Sequence, residues 1–295
     1  MPVMVEEVMD ILRPESGNIY VDATIGYGGH AVRILELSAP DGVVVGIDKD
    51  EEAIEWVKRK VKPQWGERLI VKHGDFSNMG QMLHEEGITE VDGILMDLGM
   101  SSKQIEDVER GFSFKDDGPL DMRMDRRSAL TAAEIVNRWS EEDIADILRT
   151  YGEERFARQI ARGISDYRKK KEITTTKQLA EIVKKSIPHK FWGKIHPATR
   201  TFLALRIVVN DEMKNLERGL EEGINLLKSG KRLCVISFHS LEDRIVKQTF
   251  KKSLDEGIAK AISKKPILPG KEEIMKNRRA RSAKLRWLEK DRRIK

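Results

Sequence analysis

The sequence predicts an α/β protein whose parallel sheet is interrupted by an all-helical insertion, and three observations predict it. Short apolar runs at Ile19–Ala23, Val43–Asp48, Leu69–Lys72 and Val91–Asp97 alternate with stretches of helical spacing. Strands apolar on both faces and separated by helices form parallel sheets covered on both sides. Between Arg110 and Ile195 only helical stretches occur, and Arg232–Phe238 then restores a strand, so the sheet resumes beyond them. The division this predicts is a discontinuous sheet domain, 1–108 with 197–295, and a helical insertion, 109–196.

Each element has a local reason. Met4–Leu12 has helical spacing and stops near Pro14. The strand at Ile19 runs into Asp22 and then into a glycine-dense turn, Gly26-Tyr27-Gly28-Gly29-His30, which opens a helix to Leu37. The second strand ends on Asp48, and a helix over Glu51–Val61 breaks before Pro63. The third leads into His73-Gly74-Asp75-Phe76, a helix covers Gln81–Glu86, and the fourth strand ends on Asp97. The insertion reads as helices at Thr131–Arg138, Glu141–Arg149, Glu154–Arg168 and Lys177–Ser186. A single long amphipathic helix is expected over Thr199–Leu227, and a helix from Leu241. A loop at Pro266–Gly270 and a last strand at Ala283–Leu288 close the reading.

Composition narrows the partners. The 295 residues allow one large or two modest domains, and 35% of them are charged. The one cysteine, Cys234, sits in an apolar run, which excludes a disulfide framework or a cysteine-rich zinc site. No run has the length of a membrane span and no signal peptide is evident, so a cytoplasmic protein is expected. The net charge of +5 hides a segregation: Arg244 to Lys295 holds 18 basic against 6 acidic residues, a net of +12, and the remainder is acidic. Such a tail suits a polyanion.

The glycine turn admits two ligands. Gly26-x-Gly28-x-x-Ala31 fits a dinucleotide fingerprint, with Asp48 at about the spacing of a ribose-binding acid. S-adenosylmethionine is the rival, with a ribose, no phosphate, and two cationic groups. Carboxylates near successive strand ends (Asp22, Asp48, Asp75, Asp97) suit cations and would repel a pyrophosphate. On that reading Asp48 accepts from the ribose hydroxyls, Phe76 packs on adenine, and Asp97 takes the ammonium of the cofactor or the amine of the substrate. Taken singly, each acid is equally a strand cap and Phe76 a core aromatic.

The chain resembles the small-subunit ribosomal RNA cytosine-N4 methyltransferase family (RsmH, also called MraW). The resemblance rests on Asp22 to His30 (DATIGYGGH), Gly93 to Ser102 (GILMDLGMSS) and Arg110 to Asp125 (RGFSFKDDGPLDMRMD). It continues through His196 to Glu212 (HPATRTFLALRIVVNDE), Ser237 to Lys247 (SFHSLEDRIVK) and Arg279 to Arg286 (RARSAKLR). Leu203 and Arg278 depart from the family pattern, which usually has Gln and Pro there. The resemblance implies a class I (Rossmann-like) S-adenosylmethionine-dependent methyltransferase sheet with an inserted all-helical domain. It implies cofactor contacts at Gly28, Gly29, His30, Asp48, Phe76, Asp97 and Gln104. It also implies 16S ribosomal RNA in the small subunit as partner, methylated on the N4 amine of a decoding-region cytidine; the sequence admits a homodimer and does not require one.

Methylating that amine asks for a group that grips an N4 hydrogen, orients the nitrogen and accepts its proton. Asp97 is the leading candidate, with holding the cofactor as its alternative role. In place of the Pro-Pro-aromatic run usual after this acid in amino methyltransferases stands Leu98-Gly99-Met100. His239, Ser240, Glu242 and Asp243 after the fifth strand, and Asp121 and Asp125, are further candidates for the base pocket; His239 is equally a helix cap. The target base must be single-stranded or turned out of its helix. The insertion is expected to form an RNA-recognition wall, with Arg155, Arg158, Arg162, Lys169, Lys170 and Lys171 on phosphates, joined by Arg278, Arg279, Arg281 and Arg286 of the tail. Trp139, Phe191 and Trp192 offer stacking faces, although core packing is the favoured use of each.

Overall fold

A computed structural model describes residues 2–193 and 195–291 and divides the chain into two compact units, Met1–Gly99 with Met213–Lys295, and Met100–Glu212. Among the described residues seven strands build the first unit: β1 (Ile19–Asp22), β2 (Val43–Asp48), β3 (Leu69–His73), β4 (Val91–Asp97), β5 (Leu227–Ser237), β6 (Ala259–Ile262) and β7 (Lys284–Lys290). They lie in the order β3-β2-β1-β4-β5-β7-β6; the first five are parallel and β7 runs against both of its neighbours. The chain moves outward from β1 through β2 to β3, then returns to place β4 on the other side of β1. That reversal leaves a crevice beyond the carboxyl ends of β1 and β4, where open α/β sheets bind ligands.

Both faces of the sheet are covered. Helices Val5–Leu12, Gly29–Leu37 and Glu51–Lys60 bury Val8, Leu12, Ile34, Leu35, Ile54 and Val57 on one side. Helices Met79–Glu85, Glu212–Leu226 and Ser240–Asp255 bury Met79, Leu83, Leu220, Ile224, Val246 and Phe250 on the other. Each such aliphatic or aromatic side chain contributes about 2 kcal/mol of burial. Cys234 lies in the sheet core, where burial pushes its thiol pKa up. β6, which the sequence reading did not include, is four residues on the sheet's edge, too short to show a periodicity.

The second unit is helical, built on Ala132–Arg138, Glu141–Thr150, Ala157–Arg168, Thr176–Ser186 and Thr199–Val209 around Ile135, Ile144, Leu148, Ile160, Ile164, Leu179, Val183 and Leu205. Thr131, Ser140 and Thr175 start three of these helices by accepting a backbone N–H with the side chain. Its bounds differ from the expected 109–196. Helix Thr199–Val209 belongs with it, because Phe202, Ala204, Leu205 and Val209 pack into the helical core. The long helix expected over Thr199–Leu227 is two. Asp211 takes a positive φ of 48°, and the Asn210 side chain turns aside to donate to Met122 O and accept from Met124 N. Among the described residues no helix is long and apolar enough to cross a membrane.

Candidate functional site

The site grows from the turn after β1. Gly26 and Gly28 have φ of 49° and 84°, a backbone region that side chains with a Cβ avoid. Gly28 caps helix Gly29–Leu37 with no side chain of its own to satisfy the first-turn N–H groups. At Gly29 the constraint is space, since a Cβ there would come within 2.9 Å of Pro2 Cγ. Ile25 anchors the turn by filling the gap over Gly46 of β2, where a Cβ would meet Ile25 Cδ1 at 2.1 Å. The turn is then tied across the sheet end, as Gly26 N–H donates to Asp48 Oδ2 at 2.8 Å.

Three carboxylates converge at this rim. Asp48 also accepts from Asp50 N at 2.9 Å, and burial still pushes its pKa up to about 6. Asp22 is 1% exposed and its pKa rises to about 7, by burial first and against the pull of His30. Asp97 is raised to about 7 as well; burial dominates, Arg279 opposes it and Glu242 reinforces it. The Asp97 backbone is pinned by donation to Thr24 Oγ1 at 2.7 Å, yet its Oδ1 is buried with no hydrogen-bond partner among the described residues. An unpaired acceptor in such a place is costly to the fold. His30, 5% exposed, reaches Asp97 Oδ2 with Nδ1 at 3.7 Å and meets Val3 O with Nε2 at 2.9 Å.

Other expected residues take different places. Asp75 is not on a strand. It caps the turn at Phe76–Asn78 by accepting from Ser77 N, and receives Lys49 and Asn215 as well, so its charge is compensated by the fold. Phe76 is half-buried and lies against helix Glu212–Leu226, where a Cβ on Gly219 would come within 2.3 Å of its ring. Gln104 lies in the second unit, buried, and completes a capping box with Ser101. His239 caps helix Ser240–Asp255, while Glu242 receives Phe238 N and His239 N. Asp243 is paired with Arg286 at 2.6 Å and Lys284 at 3.2 Å, and Ser240 is exposed. In the second unit Asp121 is clasped by Arg123 and Asp125 by Arg127. Asp243, Asp121 and Asp125 are therefore structural ion pairs rather than open carboxylates. The sequence reading did not link Val3 to His30, Thr24 to Asp97 or Arg279 to the field at Asp97. Of these only Arg279 carried a signal, in the basic run Arg279 to Arg286.

A sheet of order β3-β2-β1-β4-β5-β7-β6 with antiparallel β7, a glycine turn after β1 and an acid closing β2 define a class I methyltransferase. The particular family follows from comparison: residues 1–291 match the MraW methylase family, and the chain belongs to it. Its members are S-adenosylmethionine-dependent methyltransferases. The chain is 48% identical to the ribosomal RNA small subunit methyltransferase H of Syntrophotalea carbinolica (strain DSM 2380 / NBRC 103641 / GraBd1), over 96% of this chain and 95% of that one. It is 47% identical to the like-named protein of Geotalea daltonii (strain DSM 22248 / JCM 15807 / FRC-32), over 98% and 97%. With that of Geobacter sulfurreducens (strain ATCC 51573 / DSM 12127 / PCA) it shares 48%, over 98% of each. Family membership sets aside the dinucleotide reading of the turn.

Proposed function

We propose that this chain methylates the exocyclic N4 amine of a cytidine in the decoding region of 16S ribosomal RNA, within the small subunit, using S-adenosylmethionine. The observation that carries the reading is the rim of carboxylates beside the glycine turn, with Asp97 Oδ1 unpartnered and buried. We assign Asp48 to the ribose hydroxyls, the turn at Gly28 and Gly29 to the methionine portion, and Phe76 to packing on adenine; carboxylates at this rim suit a cation-bearing nucleoside. Gln104 we assign to the cofactor from its place in the matched motif. The names of the relatives support ribosomal RNA as substrate.

When bound, S-adenosylmethionine supplies an electrophilic methyl group. The protein's part is positional and electrostatic. Asp97 grips an N4 hydrogen, helps the amine nitrogen leave conjugation with the ring, and offsets the positive charge that nitrogen gains. It then accepts the surplus proton. On the helical unit, Arg155, Arg158, Arg162 and Lys169 to Lys171 are exposed and offer phosphate contacts. Phe191 is 42% exposed, with the Arg155 guanidinium 5.0 Å from its ring centre, and supplies a stacking surface. Mass spectrometry of ribosomal RNA digests from cells with and without the active chain tests the reading. An N4-methylcytidine that disappears with the protein is expected; an unchanged nucleoside profile contradicts it.

A further inference from the structure

The register of the sheet sets where the last part of the chain arrives. Asp97 pairs with Ile236 of β5, Ile236 with Leu285 of β7, and Ser237 with Lys284. Because β7 runs antiparallel, it begins where β4 and β5 finish, at the end of the sheet that holds the rim. The short helix Arg278–Ser282 stands one residue before β7 and is brought to that same end. Helix Ser240–Asp255 also starts there, directly after β5, and its first turn is tied to β7 through Asp243, which receives Arg286 and Lys284. Two bases on one acid leave a surplus of positive charge at this junction. Around it Arg244 and Lys247 of the long helix and Arg278 and Arg281 of the short one are exposed. The neighbouring acids are occupied: Glu242 is buried and accepts from Phe238 N and His239 N, and Glu273 accepts from Met4 N at 2.7 Å. Lys247, Arg278 and Arg281 have no ion pair among the described residues.

We propose that Arg244, Lys247, Arg278 and Arg281 form one face that holds the sugar–phosphate backbone of the RNA strand beside the target nucleotide, on the β5–β7 side of the crevice. This rests on the function proposed above and names where on the sheet unit the strand runs. A base turned out of its stack is delivered by its own backbone, so the phosphates on either side of it lie at the rim of the pocket. Exposed guanidinium groups offer paired donors to phosphate oxygens, and each neutralised phosphate releases condensed counterions. The spacing suits a strand that passes along both helices. Arg244 and Lys247 are three residues apart on an α-helix and share a side of it. Arg278 and Arg281 are three apart in a 3₁₀ turn, where side chains at that spacing eclipse. Arg279, between them, brings positive charge near enough to Asp97 to pull its pKa down, which ties the short helix to the rim. A strip of charge of one sign fits a polyanion better than it fits the apolar centre of a protein interface.

Fluorescence anisotropy of a labelled, unpaired RNA oligonucleotide titrated with the full chain reads this face directly. With about four phosphates neutralised, affinity is expected to fall about fiftyfold between about 50 and 200 mM KCl. Absence of binding at the lower salt, or binding indifferent to salt, overturns the proposal. Arg278→Ala and Arg281→Ala are each expected to weaken binding about three- to tenfold and to lessen the salt slope by about 0.7. Arg278→Glu combined with Arg281→Glu should cost roughly thirtyfold or more, and an unchanged affinity contradicts the assignment. Should that double variant lose its fold, Lys247→Ala on the other helix serves: about threefold weaker binding is expected, and parental binding counts against the face. Lys58→Glu makes the same kind of charge change on helix Glu51–Lys60 and is expected to alter affinity less than about twofold. An equal loss there overturns the face, because net charge alone would then explain the binding. In methyl transfer to small subunits the double variant is expected to raise KM rather than lower kcat. If the variants lose RNA binding while 16S ribosomal RNA stays unmethylated by the parent, the function reading fails and the face stands. A parent that methylates, with a double variant that binds and turns over like it, overturns the face alone.

Discussion

The two ends of β4 carry the same residue type and treat it in opposite ways. At the amino end Asp92 is 3% exposed and surrounded by donors: Lys228 Nζ at 2.7 Å, Lys231 Nζ at 3.5 Å and Ile19 N at 3.1 Å. Burial alone would raise its pKa, but these partners hold it below the ordinary carboxylate value. At the carboxyl end Asp97 has one oxygen sealed without a partner, and its pKa is driven up to about 7. The fold surrounds the first acid with donors, and it leaves Oδ1 of the second without one, so burial outweighs the pull of Arg279.

The contrast breaks most sharply in activity. Asp97→Ala is expected to slow methyl transfer more than a hundredfold, about 2.7 kcal/mol of transition-state stabilisation or more. Asp92→Ala should leave the rate constant near normal in the same assay. A comparable loss in both variants would erase the distinction between the two ends.

Stability should reverse the ranking. Asp92→Ala removes the acceptor of two lysines and a backbone N–H, and a cost of about 1–3 kcal/mol is expected in urea denaturation. Because the folded pKa of Asp92 is depressed, its contribution is present above the unfolded pKa and lost as pH falls through the folded one. The variant and the parent should therefore converge in acid. Asp97 has the opposite sign. Its folded pKa is raised from 3.8 to about 7, so the ligand-free protein binds more protons than the unfolded chain, and stability declines as pH rises through that window. Asp97→Asn is expected to stabilise the ligand-free protein at pH 8 by on the order of 1–2 kcal/mol, roughly 2–6 °C in Tm. A destabilised Asn variant at pH 8 would mean that the carboxylate is compensated after all.

The smallest effect lies beside the rim. Gly219→Ala places a methyl where the Phe76 ring packs, so the ring must move while the helix gains propensity. A three- to tenfold rise in the Kd for S-adenosylmethionine, about 1 kcal/mol, is expected with little change in Tm. Unchanged affinity would remove Phe76 from the site.

Much of this contrast was legible in the sequence, and for stated reasons. The parallel strands read out because each is an apolar run ended by turn chemistry, and Asp22, Asp48 and Asp97 stand at or near their ends. The glycine turn read out because a positive φ restricts the residue types that can occupy it. What did not read out depends on partners distant in the chain. Asp75 looked like a fourth rim acid until Lys49 and Asn215 appeared against it, the latter 140 residues away. The break at Asn210 and Asp211 is set by a loop 86 to 88 residues earlier, beyond the reach of helical periodicity. His30 and Val3 are 27 residues apart, and only the folded chain brings them together.

A crystal structure of the chain with S-adenosylmethionine tests the central claim most directly. The account predicts the ribose on Asp48, the methionine portion along Gly26 to Gly29, and the methyl carbon directed into the space beside Asp97. A donor bound away from the carboxyl ends of β1, β2 and β4, or one that leaves Asp97 untouched, would contradict it.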